Sequence, residues 1–254
     1  MSQVPPVLVA GMHRGGTSVI GQILLALGID AGPRENLIGA TDSNRHGHFE
    51  VREITALNEK MLMELGGSWL SPPSDFLAVV SLADSSFRGM AENALHQQFG
   101  KKAWFLKDPR LSLLLPFWKE ILPVQPVIIA GVRSPQAAAQ SLQKRDGLSL
   151  EFGEKLSGTY LNALSRNCQG SPSLLVSYEK LLEDPVSSIE RIAEFLKIEG
   201  CSPSSDIASA IAILDGSDNH HGLMLSEEYE EIQKWHGLKI PGYIQLSALE
   251  ADQM

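Results

Sequence analysis

The stretch Pro5-Pro6-Val7-Leu8-Val9-Ala10-Gly11-Met12-His13-Arg14-Gly15-Gly16-Thr17-Ser18 decides the fold. Val7–Ala10 is a short apolar run that reads as a buried strand. Gly11 to Gly16 read as a glycine-rich turn. An apolar helix is predicted from about Ser18 to Leu27, with Val19, Ile20, Ile23, Leu24 and Leu27 on one face and Gly28 closing it. A strand that turns through glycines into a helix presents backbone N–H groups and the positive end of a helix dipole to an anion. Gly15 and Gly16 shape that cradle, Thr17 and Ser18 add hydroxyls, and Arg14 adds a charge-assisted contact.

The spacing, Gly, four residues, Gly, is that of the nucleotide-triphosphatase loop. That loop continues into Lys-Ser/Thr, where this chain has Thr17-Ser18. The positive charge sits inside the loop instead, on Arg14. Without the lysine that reaches the terminal phosphates of ATP, the site points away from a kinase and toward a different anhydride donor.

Three further apolar runs read as strands: Ala103–Leu106, Val127–Val132 and Leu174–Val176. Helical patterns separate them, at Ile54–Leu65, at Leu111–Ile121, from Ser134-Pro135 to about Lys144, and over Val186–Leu196 after Asp184-Pro185. Ser134 and Asp184 each precede a proline, the signature of a helix N-cap followed by its first residue. Strands alternating with helices predict an α/β fold of three layers, a mostly parallel central sheet with helices on both faces. With 254 residues, 43% of them hydrophobic, one sizeable core suffices. A single domain over 1–254 is expected, with 200–254 a C-terminal lid or docked tail. From Ser226 to Met254 that tail carries six acids against two lysines.

The net charge of -9 argues against nucleic acid and against an anionic membrane. No apolar run is long enough for stable membrane insertion. Cys168 and Cys201 lie far apart, with neither a disulfide framework nor metal-ligand spacing, which suits a reducing compartment. No signal peptide is read at the start. The expected location is the cytoplasm.

Three more clusters carry chemistry. Val127–Val132 delivers Arg133 to the carboxyl end of its strand, where parallel sheets bind ligands. With Ser141 in the next helix, it suits a second phosphate, separate from the one in the loop. Lys107-Asp108-Pro109-Arg110 ends another strand, and Lys107 and Arg110 are candidates to face the same crevice. Asp108 and Arg110 read equally well as an ion pair that fixes the turn. Asn44-Arg45-His46-Gly47-His48-Phe49-Glu50 holds the candidate general bases His46, His48 and Glu50. The long polar stretch Ala31–Val51 that contains it reads as a functional loop. Trp69, before Ser71-Pro72-Pro73, is the best-placed tryptophan for a substrate wall; Trp104 and Trp118 read as core.

Taken together, these motifs resemble the sulfotransferases that use 3'-phosphoadenosine 5'-phosphosulfate (PAPS). Gly11-Met12-His13-Arg14-Gly15-Gly16-Thr17-Ser18 resembles their 5'-phosphosulfate loop, with Gly15 at the place of a common serine. Arg133 with Pro135 and Ser141 resembles their 3'-phosphate site. Leu175-Val176-Ser177-Tyr178-Glu179-Lys180-Leu181 resembles the strand and Tyr-Glu-x-Leu segment that follows. Gly47-His48-Phe49-Glu50 and Lys107-Asp108-Pro109-Arg110 are similar to segments of bacterial members, some of them carbohydrate-modifying. The resemblance runs from about Pro6 to Ile198. It implies a P-loop NTPase-like fold and PAPS as donor, bound by Arg14, Gly15, Gly16, Thr17, Ser18, Lys107, Arg133 and Ser141. It implies no metal, and a small-molecule or saccharide acceptor. Glu50 is the expected base, with His48 and then His13 behind it, and Arg14 stabilises charge on the donor. The glycine-rich C-terminal segment of the cytosolic animal enzymes has no clear match, and Trp235-His236-Gly237-Leu238-Lys239 is a poor substitute. The rival readings are a nucleotide or small-molecule kinase and a non-catalytic nucleotide-binding protein.

Overall fold

A computed structural model describes residues 4–41, 44, 47–73, 75–100, 102–203 and 207–215. Its elements in chain order are β1 (Val7–Gly11), α1 (Thr17–Ala26), α2 (Arg52–Glu64), α3 (Phe76–Ser81), α4 (Ser86–Gln98), β2 (Phe105–Lys107), α5 (Leu111–Ile121), β3 (Val127–Val132), α6 (Pro135–Asp146), α7 (Leu150–Asn167), β4 (Ser173–Ser177), α8 (Tyr178–Glu183), α9 (Pro185–Ile198) and α10 (Ile207–Asp215). The four strands form one sheet in the order β2-β1-β3-β4, parallel throughout.

Alternation along β1 explains the layers. Leu8 and Ala10 point into one apolar cluster with Ile54, Leu62, Leu114, Trp118 and Leu164. Val7 and Val9 point into another with Ile23, Leu24, Ile189, Ile192 and Leu196. Helices therefore cover both faces, as a parallel sheet of continuous apolar strands requires. The expected caps form: Ser134 Oγ accepts from the Ala137 N–H and Asp184 Oδ1 from the Ser187 N–H.

The sequence reading needs two corrections. The second strand starts at Phe105 rather than Ala103; Trp104 precedes it in a parallel bridge to Asp30, with its carbonyl accepting from the Val7 N–H at 3.0 Å and its ring stacked on Phe99 at 4.1 Å. Helices α3, α4, α7, α8 and α10 lie in stretches the sequence reading left unassigned. The tail opens with a docked helix: Ala210 and Leu214 of α10 join the core cluster on the α1 and α9 side. Residues 216–254, including His220, His221 and Trp235, lie outside the described residues, as do Arg45 and His46. Among the described residues no helix is long and apolar enough to cross a membrane.

The turn after β1 is tightly set. Gly11 has φ +155°, and a Cβ there would stand 2.3 Å from the Gly131 carbonyl oxygen of β3. Gly16, at φ +84°, would drive a Cβ to 2.6 Å from the Tyr178 ring. Arg14 itself adopts the left-handed region at φ 65°. A non-glycine residue there costs about 1–2 kcal/mol, so packing must hold it.

Candidate active site

Strands β1, β2 and β3 end on the same edge of the sheet, so the loops that follow them converge. α1 begins at Thr17 with no side-chain cap at its N-terminus. The first N–H groups of a helix have no intrahelical acceptor, which leaves them for a ligand. Arg14, in the turn, reaches sideways: its Nε donates to Ser141 Oγ at 2.7 Å. Ser141 therefore lies against the arginine of the loop, and the two expected anion sites are joined rather than separate.

Arg133 stands beside them. One of its Nη atoms donates to the Arg14 carbonyl at 3.3 Å, and its guanidinium lies 4.6 Å from the centre of the Tyr178 ring. Its Nε is buried without a hydrogen-bond partner. An orphaned cationic donor in such a place suits an anion. The Tyr-Glu-x-Leu segment holds this corner: Glu179 accepts from the Ser134 N–H at 2.9 Å and from the Ser177 hydroxyl at 3.1 Å, while Tyr178 packs under Arg133 and over Gly16.

The loop from Ala31 folds back on itself to place Glu50. Ile38 N–H donates to the Glu50 carbonyl at 2.8 Å, His48 N–H donates to the Ile38 carbonyl at 3.2 Å, and Phe49 sits at φ 56°. Glu50 ends this loop, two residues before α2 begins at Arg52. It is 7% exposed and meets Lys107, itself 2% exposed, with Oε1 2.7 Å from Nζ. The same Nζ donates to Ser18 Oγ at 3.3 Å. Ser18, Lys107 and Glu50 thus form a chain from the anion loop to the carboxylate.

Arg110 is committed to structure. It pairs with Asp108 at 2.9 Å and donates through Nε to Glu59 at 2.8 Å, which holds its pKa above the ordinary value against the cost of burial. The ion-pair reading of Asp108 and Arg110 is the one the geometry favours. Asn58, fully buried, ties this pair to the core: its Nδ2 donates to Asp108 at 2.9 Å and its oxygen accepts from the Trp118 indole at 3.0 Å. Asn58→Ala leaves both groups unsatisfied. We expect a cost of about 3 kcal/mol and a Tm lowered by roughly 6–12 °C. A loss below about 1 kcal/mol in urea titration would show the network to be dispensable.

The three candidate bases differ in their surroundings. Burial, then Lys107, Arg145 and Arg14, lower the His48 pKa to about 4; its Nδ1 is 4.0 Å from Glu50 Oε1. Burial, followed by Arg110, Arg145 and Lys107, also holds His13 well below its ordinary value. His13 packs against Trp69, the rings tilted by 45° with centres 4.4 Å apart, and its Nε2 is buried without a partner. Glu50 differs: burial raises its pKa, and Lys107 opposes that rise. Burial thus works against a proton on either histidine and in favour of one on the carboxylate.

Trp69 lies beside this cluster. The Tyr160 hydroxyl of α7 donates to its carbonyl at 3.0 Å, and the Arg145 guanidinium lies 5.6 Å from its ring centre. Ser157 of α7 donates to the Met12 sulfur at 3.0 Å. Sequence reasoning missed these α7 and α6 contributions. The spacing of Leu156, Tyr160 and Leu164 behind the Ser149 cap was the available sign of α7. For Arg145, at the end of α6, there was none.

Residues 5–202 match the Sulfotransferase family. Solved structures with similar folds include three proteins of the same description. The sulfotransferase domain of the olefin synthase from Synechococcus PCC 7002 is 18% identical, over 98% of this chain and 94% of that one, at TM-score 0.47. The sulfotransferase domain from the curacin biosynthetic pathway is 13% identical, over 93% and 99%, at TM-score 0.46. Sulfotransferase STF9 from Mycobacterium avium is 15% identical, over 99% and 75%, at TM-score 0.44. No curated protein matches the chain.

Proposed function

The chain belongs to the sulfotransferase family, and from that premise we propose that it transfers a sulfuryl group from PAPS to the hydroxyl of a small molecule or saccharide. The observation that carries this reading is the joined pair of anion sites on neighbouring strand ends, the loop with Arg14 and Ser141, and Arg133 with its unpartnered buried Nε. Two phosphate-sized anions on one ligand call for two such sites side by side. The two cysteines are buried and free, which fits the cytoplasm.

The residues divide the work. The loop amides, Thr17 and Ser18 orient the 5'-phosphosulfate, and Arg133 with Ser141 takes the 3'-phosphate. Arg14 and Lys107 stabilise charge that grows on the bridging oxygen as it leaves. Glu50 takes the acceptor's proton. The acceptor oxygen forms its bond to sulfur as the bond from sulfur to the bridging oxygen breaks, and adenosine 3',5'-bisphosphate departs. A sulfuryl group carries less charge than a phosphoryl group, so side-chain cations suffice and no metal is called on. Trp69 forms one wall for the acceptor.

Calorimetry tests the donor. Adenosine 3',5'-bisphosphate is expected to bind with the same affinity with and without a chelator, and ATP with magnesium to bind far more weakly. The reverse order of affinities would make the protein a kinase. Binding of the bisphosphate without turnover of PAPS over a broad acceptor screen would make it a nucleotide-binding protein.

A further inference from the structure

Lys107 touches both halves of the proposed reaction. Its Nζ lies 2.7 Å from Glu50 Oε1 and 3.3 Å from Ser18 Oγ, at the foot of the anion loop. Its side chain is cut off from water, so its three N–H donors must be satisfied by protein or ligand. With no donor bound, Glu50 is the anion it meets. Resting on the functional reading above, we propose that Lys107 couples donor binding to the strength of the base. An anion held beside Ser18 draws Lys107 away from Glu50, and Glu50 becomes the stronger base when the acceptor hydroxyl must lose its proton.

The other groups facing Glu50 leave this role to Lys107. Arg110, entering α5, is 3.8 Å away but is already bound to Asp108 and Glu59. His48, on the same loop as Glu50, is 4.0 Å away and uncharged at neutral pH. Asp108 adds repulsion and raises the proton affinity of Glu50 further. Lys107 is the largest single influence that holds the carboxylate ionised against its burial. Moving that ammonium toward the loop needs no new element, because the bond to Ser18 already points the way.

The cycle closes without other reactants. Glu50 accepts the acceptor's proton as the oxygen–sulfur bond forms and the bridging bond breaks. When the bisphosphate leaves, Lys107 returns to Glu50 and expels the proton to solvent. Between cycles the base stays neutralised by its ion pair.

Linkage makes the coupling measurable. If donor binding raises the Glu50 pKa, binding takes up protons at any pH between the free and bound values. Uptake therefore grows as pH falls from 8 toward 6. The experiment is calorimetric titration of the intact protein with PAPS, without acceptor, in buffers of different ionisation enthalpy. Glu50→Gln serves as the baseline for protonation of the nucleotide's own 3'-phosphate. We expect the unaltered protein to exceed that baseline by a measurable fraction of a proton at pH 6 and by less at pH 8. Lys107→Met, if it folds, should match the baseline at both. Equal proton counts for the unaltered protein and Glu50→Gln, with PAPS bound to each, would overturn the coupling and leave the donor assignment standing. No binding of PAPS at all would overturn both.

Discussion

Glu50→Gln is expected to lower turnover by about 10²–10⁴-fold while the affinity for adenosine 3',5'-bisphosphate stays within about threefold of normal. An alcohol is a weak nucleophile at neutral pH, so a base in reach of its proton carries much of the rate. Glutamine keeps the shape, and its oxygen still accepts from Lys107, 2.7 Å away in the parent structure. What it loses is the capacity to hold a proton. The contrast with His48 is direct: burial and three cations hold its pKa to about 4, so it is a poor place to put a proton. His48→Asn should change turnover only a few-fold. For the unaltered enzyme, activity should fall as pH drops through the raised pKa of Glu50, because below it the base is already protonated. That acidic limb should vanish in Glu50→Gln. Near-normal turnover in Glu50→Gln with a dead His48→Asn or His13→Asn would move the role to that histidine.

Much of this site was legible because its residues sit at strand ends, and strand ends are fixed by short apolar runs. Val127–Val132 places Arg133, and the Ser134-Pro135 cap fixes the turn after it. Distance across the fold was the part that could not be read. Arg14 and Ser141 are 127 residues apart, and that they bond directly rather than holding two separate anions follows only from how α6 leans on the loop. Glu50 shows the same limit. It stands in a polar stretch with no local pattern to aim it, and the loop folds back through Ile38 and turns the carboxylate inward to Lys107. Helix α7 was missed for a different reason. Its first turns expose Glu151, Phe152, Glu154 and Lys155, and this polar outer face masks the buried row Gly153, Leu156, Tyr160 and Leu164.

Arg133→Ala is expected to separate the two anion sites by ligand. The bisphosphate carries a 3'-phosphate, and adenosine 5'-phosphosulfate lacks one. A charge-assisted hydrogen bond to a phosphate is worth about 1.5–3 kcal/mol, so the bisphosphate should lose roughly tenfold to more than a hundredfold in affinity. The phosphosulfate, held by the loop alone, should lose no more than about threefold. Arg133 also has structural contacts, a 3.3 Å bond to the Arg14 carbonyl and the Tyr178 ring beneath its guanidinium. Arg133→Lys addresses these: lysine keeps the charge but lacks the planar fork, and its single ammonium has no Nε donor inside the stem. If the buried Nε of Arg133 is a phosphate donor, lysine should restore part of the affinity and fall clearly short of arginine. If Arg133 only braces the loop, both ligands should weaken together in Arg133→Ala, because the loop they share has moved. Equal losses, in protein whose Tm is unchanged, would take the 3'-phosphate away from Arg133 and leave Ser141 with Arg14 as its partners.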